Sequence, residues 1–365
     1  MHDTTSAKAL PLIKRLGVVH PIIQAPMAGV STPELAAAVS NAGGLGSLGV
    51  AAMNVDGARD AIRKTRALTD KPFGVNVFCH APALPDDAAS AKWLQYLAPH
   101  FARFGAPPPD RLTAIYTSFV VNPDMVAMLV QERPAVVSFH FGLPQRDVID
   151  ALHEAGIFLM ATATNLAEAG QIANLGIDAI VAQGIEAGGH RGMFDPLAPD
   201  EGLGVSALTR LFVTQQTLPV VAAGGIMDGA GIRAALALGA QAAQLGTAFV
   251  SCPESAADAG YRQLLLSGAP VVTTFTTAIS GRPARGIANA FTALGEASDC
   301  PLTPGYPMTY EAGKALIAAA KAQGVNEFGA YWAGQAAQLS RGLPAAALMQ
   351  ALIAEYQAGA AANIG

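Results

Sequence analysis

The chain has 365 residues, of which 52% are hydrophobic and 13% charged. It can bury a large core, either as two or three domains or, the preferred reading, as one barrel of about 250 residues with an appendage. Its mean hydropathy of +0.35 owes much to glycine and alanine, and no stretch of about 18 apolar residues runs uninterrupted, so no membrane span is expected. A net charge of −5 without any basic run of five or more argues against nucleic acid as a partner and leaves a small molecule. Cys79, Cys252 and Cys300 lie too far apart for a disulfide framework, a redox pair or a zinc site.

In chain order, Met1 to Leu16 lacks the apolar core of a secretory signal, which makes a cytoplasmic location the expectation. Eight short apolar runs then read as strands: Ile22 to Ala25, Gly44 to Leu48, Phe73 to Val77, Val136 to Phe139, Phe158 to Thr162, Ala179 to Ala182, Val220 to Ala223 and Ala242 to Leu245. Helical spacing fills most gaps, at Pro33 to Asn41, Val55 to Ala67, Asp147 to Ala155, Leu166 to Leu175 and Ala230 to Leu238. Ser31-Thr32-Pro33 supplies a helix start, and Gly43, Gly156, Gly176 and Gly239 supply stops. The third crossover, Phe78 to Pro134, is long enough to carry an insertion over the barrel's face or side.

Buried strands alternating with helices predict a parallel sheet covered on its outer face, and a count of eight predicts closure as a (β/α)8 TIM barrel, with a doubly wound open sheet as the alternative. Composition shifts after Gly268. Residues 269–342 are expected to form a small, partly helical second domain beside the barrel mouth, with helices at Tyr310 to Ala322 and Glu327 to Leu339. Residues 343–365, with a helical run at Pro344 to Gln357, are expected to return and complete the barrel of residues 1–268.

Chemistry in such a barrel sits at the C-terminal ends of the strands. Gly44-Leu45-Gly46-Ser47-Leu48-Gly49 spells a dinucleotide fingerprint, but these glycines follow a helix and occupy the second strand itself, so a strand-plus-turn reading is preferred. Gly224-Gly225 and Gln244-Leu245-Gly246-Thr247 end the seventh and eighth strands, where barrels often bind phosphate through backbone N–H groups. Facing them would be Pro26, Met27 and Ala28 after strand one, Asn76 in strand three and Gln183 after strand six. Amide side chains and exposed backbone suit an isoalloxazine ring, with its rim of donors and acceptors and its apolar faces. His190 follows strand six among glycines, and His140 follows strand four between two phenylalanines. Either titrates near neutrality and qualifies as a base or anion stabiliser; His190 is preferred because its neighbours leave room for substrate. A glycine-rich turn with a merely packed histidine remains the plain alternative. No metal motif and no serine-hydrolase elbow is present in the sequence.

Together Pro21 to Gly29, Phe73 to Asn76, Gln183 to Gly192, Ala223 to Ile226 and Gln244 to Thr247 resemble the nitronate monooxygenases, formerly 2-nitropropane dioxygenases, across about residues 18–290. Ser280-Gly281-Arg282-Pro283-Ala284-Arg285-Gly286 resembles their class I branch. The resemblance implies an FMN-containing barrel that oxidises alkyl nitronates such as propionate 3-nitronate with O2 to a carbonyl compound and nitrite. It implies FMN contacts from Pro26, Met27, Ala28, Asn76, Gln183, Gly188, Gly224, Gly225, Gln244, Leu245, Gly246 and Thr247, with His190 catalytic, no metal, and a chain compatible with a homo-oligomer. FMN-dependent NAD(P)H:quinone reductases and enoyl-acyl-carrier-protein reductases share the barrel and similar motifs, and a non-enzymatic flavin-binding protein is a more distant alternative.

Overall fold

In the computed structural model, which describes residues 11–361, the eight expected strands form one parallel sheet. They are β1 (Ile22–Gln24), β2 (Gly46–Gly49), β3 (Phe73–Phe78), β4 (Val136–His140), β5 (Phe158–Ala163), β6 (Ala179–Gln183), β8 (Val220–Ala223) and β9 (Ala242–Leu245), with a two-residue β7 (Gly189–His190) set apart. The sheet order is β1-β9-β8-β6-β5-β4-β3-β2. It closes where Ile23 bridges Leu45, through Gln24 N–H donating to Leu45 O at 2.9 Å and Leu45 N–H to Ile22 O at 3.0 Å. Residues 1–10 and 362–365, parts of the expected opening segment and closing helix, lie outside the described residues.

Alternation along the strands sorts side chains into two layers. Ile23, Val136, Met160, Val181, Val221 and Ala242 fill the barrel, and Leu12 and Leu16 of α1 (Leu12–Leu16) plug its lower end. The alternate residues Val75, Val77, Val137, Phe139, Leu159 and Ile180 pack outward against the surrounding helices. Those helices start where the sequence says: in α2 (Pro33–Asn41), Thr32 Oγ1 accepts from Leu35 N–H at 3.0 Å, with proline in the first turn.

The insertion after β3 forms α3 (Asp87–Arg103), whose Trp93, Leu97 and Phe101 share a core with Phe291, Met308, Leu316 and Phe328 from beyond residue 269. The insertion and the later segment therefore make one cap over the barrel mouth. The cap also contains β10 (Thr273–Thr276), β11 (Ala284–Ile287) and α4 (Met308–Ala322). β7 pairs antiparallel with β11, His190 opposite Ala284, so the strand bearing His190 joins barrel to cap.

One expected element is absent. Glu327 to Leu339 does not form a helix; only Ala337–Leu339 makes a 3-10 turn. Its backbone is committed elsewhere, Tyr331 O accepting from Ile287 N–H at 2.8 Å and Gln335 N–H donating to Glu186 O at 3.0 Å. Long-range partners outcompete local helical ones here. The expected closing helix is present as α5 (Ala345–Ala361), packed through Leu348, Met349 and Leu352 against Leu35 and Val39 of α2 and Ile232 beyond β8.

Candidate active site

A chamber of about 320 Å³ lies between the upper ends of the barrel strands and the cap. Pro26, Met27, Ala28, Asn76, Gln183, Gly188, His190, Gly224, Gly225, Gln244, Gly246 and Thr247 all line it. Pairing sets several of them level, with Asn76 beside Ser138, Gln183 beside Ala223 and Ala223 beside Gln244. Leu245 is the exception. Alternation turns its side chain to the outer layer with Ile22 and Leu35, and its carbonyl is taken by Ala25 N–H at 2.8 Å.

The loop after β1 is held from beneath by a residue the sequence reading passed over. Gln24, fully buried, accepts from Ser47 N–H at 2.8 Å and donates to Ser31 Oγ at 3.0 Å, and Ser31 Oγ accepts from Met27 N–H at 2.9 Å. A second glutamine staples the loop after β6: Gln183 Oε1 accepts from Gly192 N–H at 2.7 Å while its Nε2 donates to His190 O at 3.0 Å. Since one partner only donates and the other only accepts, the orientation of this amide is fixed. Arg191 is buried too, forked onto Asp200 at 2.7 and 2.9 Å, and Glu186 takes Val205 N–H at 2.9 Å to cap the helix Val205–Gln215. In the stretch Gln183 to Gly192, three polar side chains thus serve to hold the fourth, His190.

His190 Nε2 lies 2.9 Å from Ser280 Oγ, and Ser280 Oγ is 3.1 Å from Arg282 O. A hydroxyl has one proton; with it given to the carbonyl, Ser280 accepts from Nε2–H and the lone pair of His190 rests on Nδ1. Nδ1 has no protein partner and is open to the chamber. Burial, the neighbouring His140 and the Arg282 guanidinium push the His190 pKa down to about 3, so the ring is neutral at physiological pH. Burial also brings His140 down to about 4; its Nε2 reaches His190 O at 3.3 Å, making it part of the support.

Arg282 and Arg285 do not reach the chamber. The Arg282 guanidinium lies 4.1 Å from the centroid of Phe141 and bonds Met193 O; Arg285 stacks on Phe275 at 4.3 Å and donates to Ile185 O at 3.1 Å. The cap contributes a wall that sequence alone does not assemble: Tyr116, Tyr310, Lys314 and Trp332 line the chamber, with the Trp332 and Tyr310 rings 5.2 and 5.9 Å from that of His190. His80, buried beside Tyr306, is a third histidine near the mouth, its pKa lowered to about 4 chiefly by burial.

The donors fit a flat, phosphorylated ligand. Among the described residues the N–H groups of Gly225 and Gly246 meet no protein acceptor, the Gln244 amide is unpaired, and Asn76, whose Nδ2 donates to Ser138 O at 3.0 Å, keeps Oδ1 free. No group of three or more His, Cys, Asp or Glu positioned for a metal ion occurs among the described residues, and no helix there is long and apolar enough to cross a membrane.

A closed (β/α)8 barrel with its chamber at the strand ends under a cap defines a barrel enzyme. Comparison with known proteins narrows this. The sequence matches the nitronate monooxygenase family over residues 10–355, and the chain belongs to that family. A nitronate monooxygenase from Paraburkholderia phytofirmans is 64% identical over 357 residues, covering 98% of this chain and 97% of the relative. Another from Pseudomonas aeruginosa is 55% identical over 342 residues, covering 94% and 97%. The solved structure of a nitroalkane oxidase from Streptomyces ansochromogenes aligns with a TM-score of 0.87 at 39% identity, covering 94% of this chain and 98% of that one.

Proposed function

We propose that this chain is an FMN-dependent monooxygenase that oxidises alkyl nitronates with O2 to a carbonyl compound and nitrite, with His190 as its catalytic residue. The observation that carries the reading is a neutral imidazole, its Nδ1 open, facing a chamber whose opposite side offers unpaired backbone donors. Gly225 and Gly246 N–H would hold the FMN phosphate, Asn76 and Gln244 the rim of the ring, and the Pro26 to Ala28 loop one apolar side. When bound, FMN supplies the redox chemistry, accepting an electron from the nitronate.

The protein's own part is proton handling and orientation. For a neutral nitroalkane, Nδ1 takes the α-proton, the C–H electron pair moves into the nitro group, and the resulting imidazolium faces the nitronate it has made. Ser280 keeps Nε2–H pointing away so that the lone pair meets substrate. In this tautomer Nδ1 accepts and does not donate, so His190 serves a preformed nitronate less than it serves a nitroalkane.

The test is an absorbance spectrum of the purified protein followed by a nitrite assay with propionate 3-nitronate under air. A flavin spectrum and nitrite release are expected. A colourless protein that cannot be reconstituted with FMN, or a flavoprotein bleached by NADH but not by ethylnitronate without oxygen, overturns the reading.

A further inference from the structure

Lys314 carries the only full charge among the described residues that line the chamber; no aspartate or glutamate faces it. Its Nζ stands 4.8 Å from the centroid of Tyr116 and 5.5 Å from that of Tyr310, and no carboxylate of the described residues lies within 4 Å. The acid one turn earlier on α4, Glu311, is occupied: its oxygens take Thr113 Oγ1 at 3.1 and 3.2 Å and also the Thr113 N–H. Two aromatic faces thus direct the ammonium while leaving its charge unneutralised. Tyr310 also touches His190, ring to ring at 5.9 Å, so the ammonium and the imidazole address one space from either side of this ring.

We propose that Lys314 anchors a carboxylate at the far end of the substrate's carbon chain, so that the chamber selects nitronates bearing a second anionic group over uncharged alkyl nitronates. This rests on the nitronate reading of the site and adds its substrate class. A reacting carbon held near Nδ1 of His190 places the nitro end there. The cap's cation is then left for the opposite end of a short chain. The phosphate of a bound cofactor does not need it, since the unpaired N–H groups of Gly225 and Gly246 belong to the barrel side.

Lys314→Met and Lys314→Arg are compared with the parent on propionate 3-nitronate and on propyl-1-nitronate. A hydrogen bond between charged groups contributes about 10- to 100-fold in affinity. Lys314→Met is therefore expected to lose that factor in kcat/KM for the carboxylated substrate, mostly through KM, and no more than about threefold for the uncharged one, with Arg restoring most of the loss. Equal losses on both substrates overturn the proposal, as does loss of flavin from Lys314→Met, which would assign the ammonium to the cofactor. Calorimetric binding of succinate and butyrate to the FMN-loaded protein decides the matter without turnover: a preference for succinate that vanishes in Lys314→Met supports the anchor, and no preference in the parent overturns it. If the parent oxidises no nitronate, the activity reading fails while the succinate measurement still judges Lys314.

Discussion

The floor and the roof of the chamber are built by different rules. The floor consists of strand ends and tight turns: Asn76, Gln183 and Gln244 stand on adjacent parallel strands, Gly225 and Gly246 follow two of them, and no charged side chain intrudes. The roof comes from distant segments, Tyr116 in the insertion, Tyr310 and Lys314 on α4 and Trp332 in the stretch that declined to become a helix, held together by the core around Trp93 and Phe328. A barrel fixes donors to a fraction of an ångström because hydrogen-bonded strands set their spacing, whereas a cap of aromatic side chains sets shape and preference. The division suggests that the floor holds the cofactor while the roof chooses the substrate.

Acid should strain this arrangement most. His190 and His140 are buried with pKa values lowered to about 3 and 4, so below the ordinary histidine value of about 6.5 the unfolded chain binds protons that the folded one refuses. The stability they contribute is complete above pH 6.5 and is lost as pH falls toward 4, by up to about 1.4 kcal/mol per pH unit for each ring. Denaturant unfolding from pH 7 to 4 checks this, and a flat profile would contradict the burial described here. Next in size is the seam. A Cβ on Gly188 would sit 2.5 Å from Ala333 C and Gly334 N, both backbone, so Gly188→Ala must push floor and roof apart. It should cost about 2–3 kcal/mol, seen as a Tm lower by at least about 5 °C, together with weaker flavin retention.

His190→Asn addresses the chemistry at that seam. It should lower kcat/KM for a nitroalkane at least about 100-fold and for the matching nitronate less than about tenfold; equal losses would remove the proton-acceptor role. The smallest change is Ser280→Ala, which frees the ring to present Nε2 or Nδ1 while leaving it in place. A loss of about tenfold on nitroalkane is expected, with partial recovery in Ser280→Thr, whose hydroxyl can rebuild the bond to Nε2. An unaltered rate would show that the tautomer is fixed by something else.

How much of this the sequence discloses follows the same division. Strand and helix alternation, glycine turns and the placement of His190 are local patterns, and they locate the floor from residues alone. Even the misleading fingerprint at Gly44, Gly46 and Gly49 yields to local reasoning. In the structure those glycines admit neighbouring backbone, a Cβ at Gly46 falling 1.9 Å from Ala36 O and one at Gly49 falling 2.6 Å from Ala28 N. The roof has no such signature. Tyr116 and Lys314 meet through folding across nearly two hundred residues, and nothing in the neighbourhood of either announces the other. The helix expected at Glu327 to Leu339 fails for the same reason, since hydrogen bonds from β11 and Glu186 decide its course. Leu245 was placed among the ligand contacts because it sits inside a motif, although strand alternation already turns it outward.

The barrel's closure has a consequence for how the molecule comes into being. β1 and β2 meet through a single bridge at Ile23 and Leu45, and the patch outside β1 is covered by α5, whose Leu348, Met349 and Leu352 are among the final residues of the chain. A nascent chain that has just emerged through β9 already possesses every stave of the cask yet lacks its hoop. Ile22, Leu35 and Val39 then stay wet until translation is nearly over. Stop codons ahead of residue 345 should therefore yield a sticky, protease-sensitive product and not a smaller enzyme.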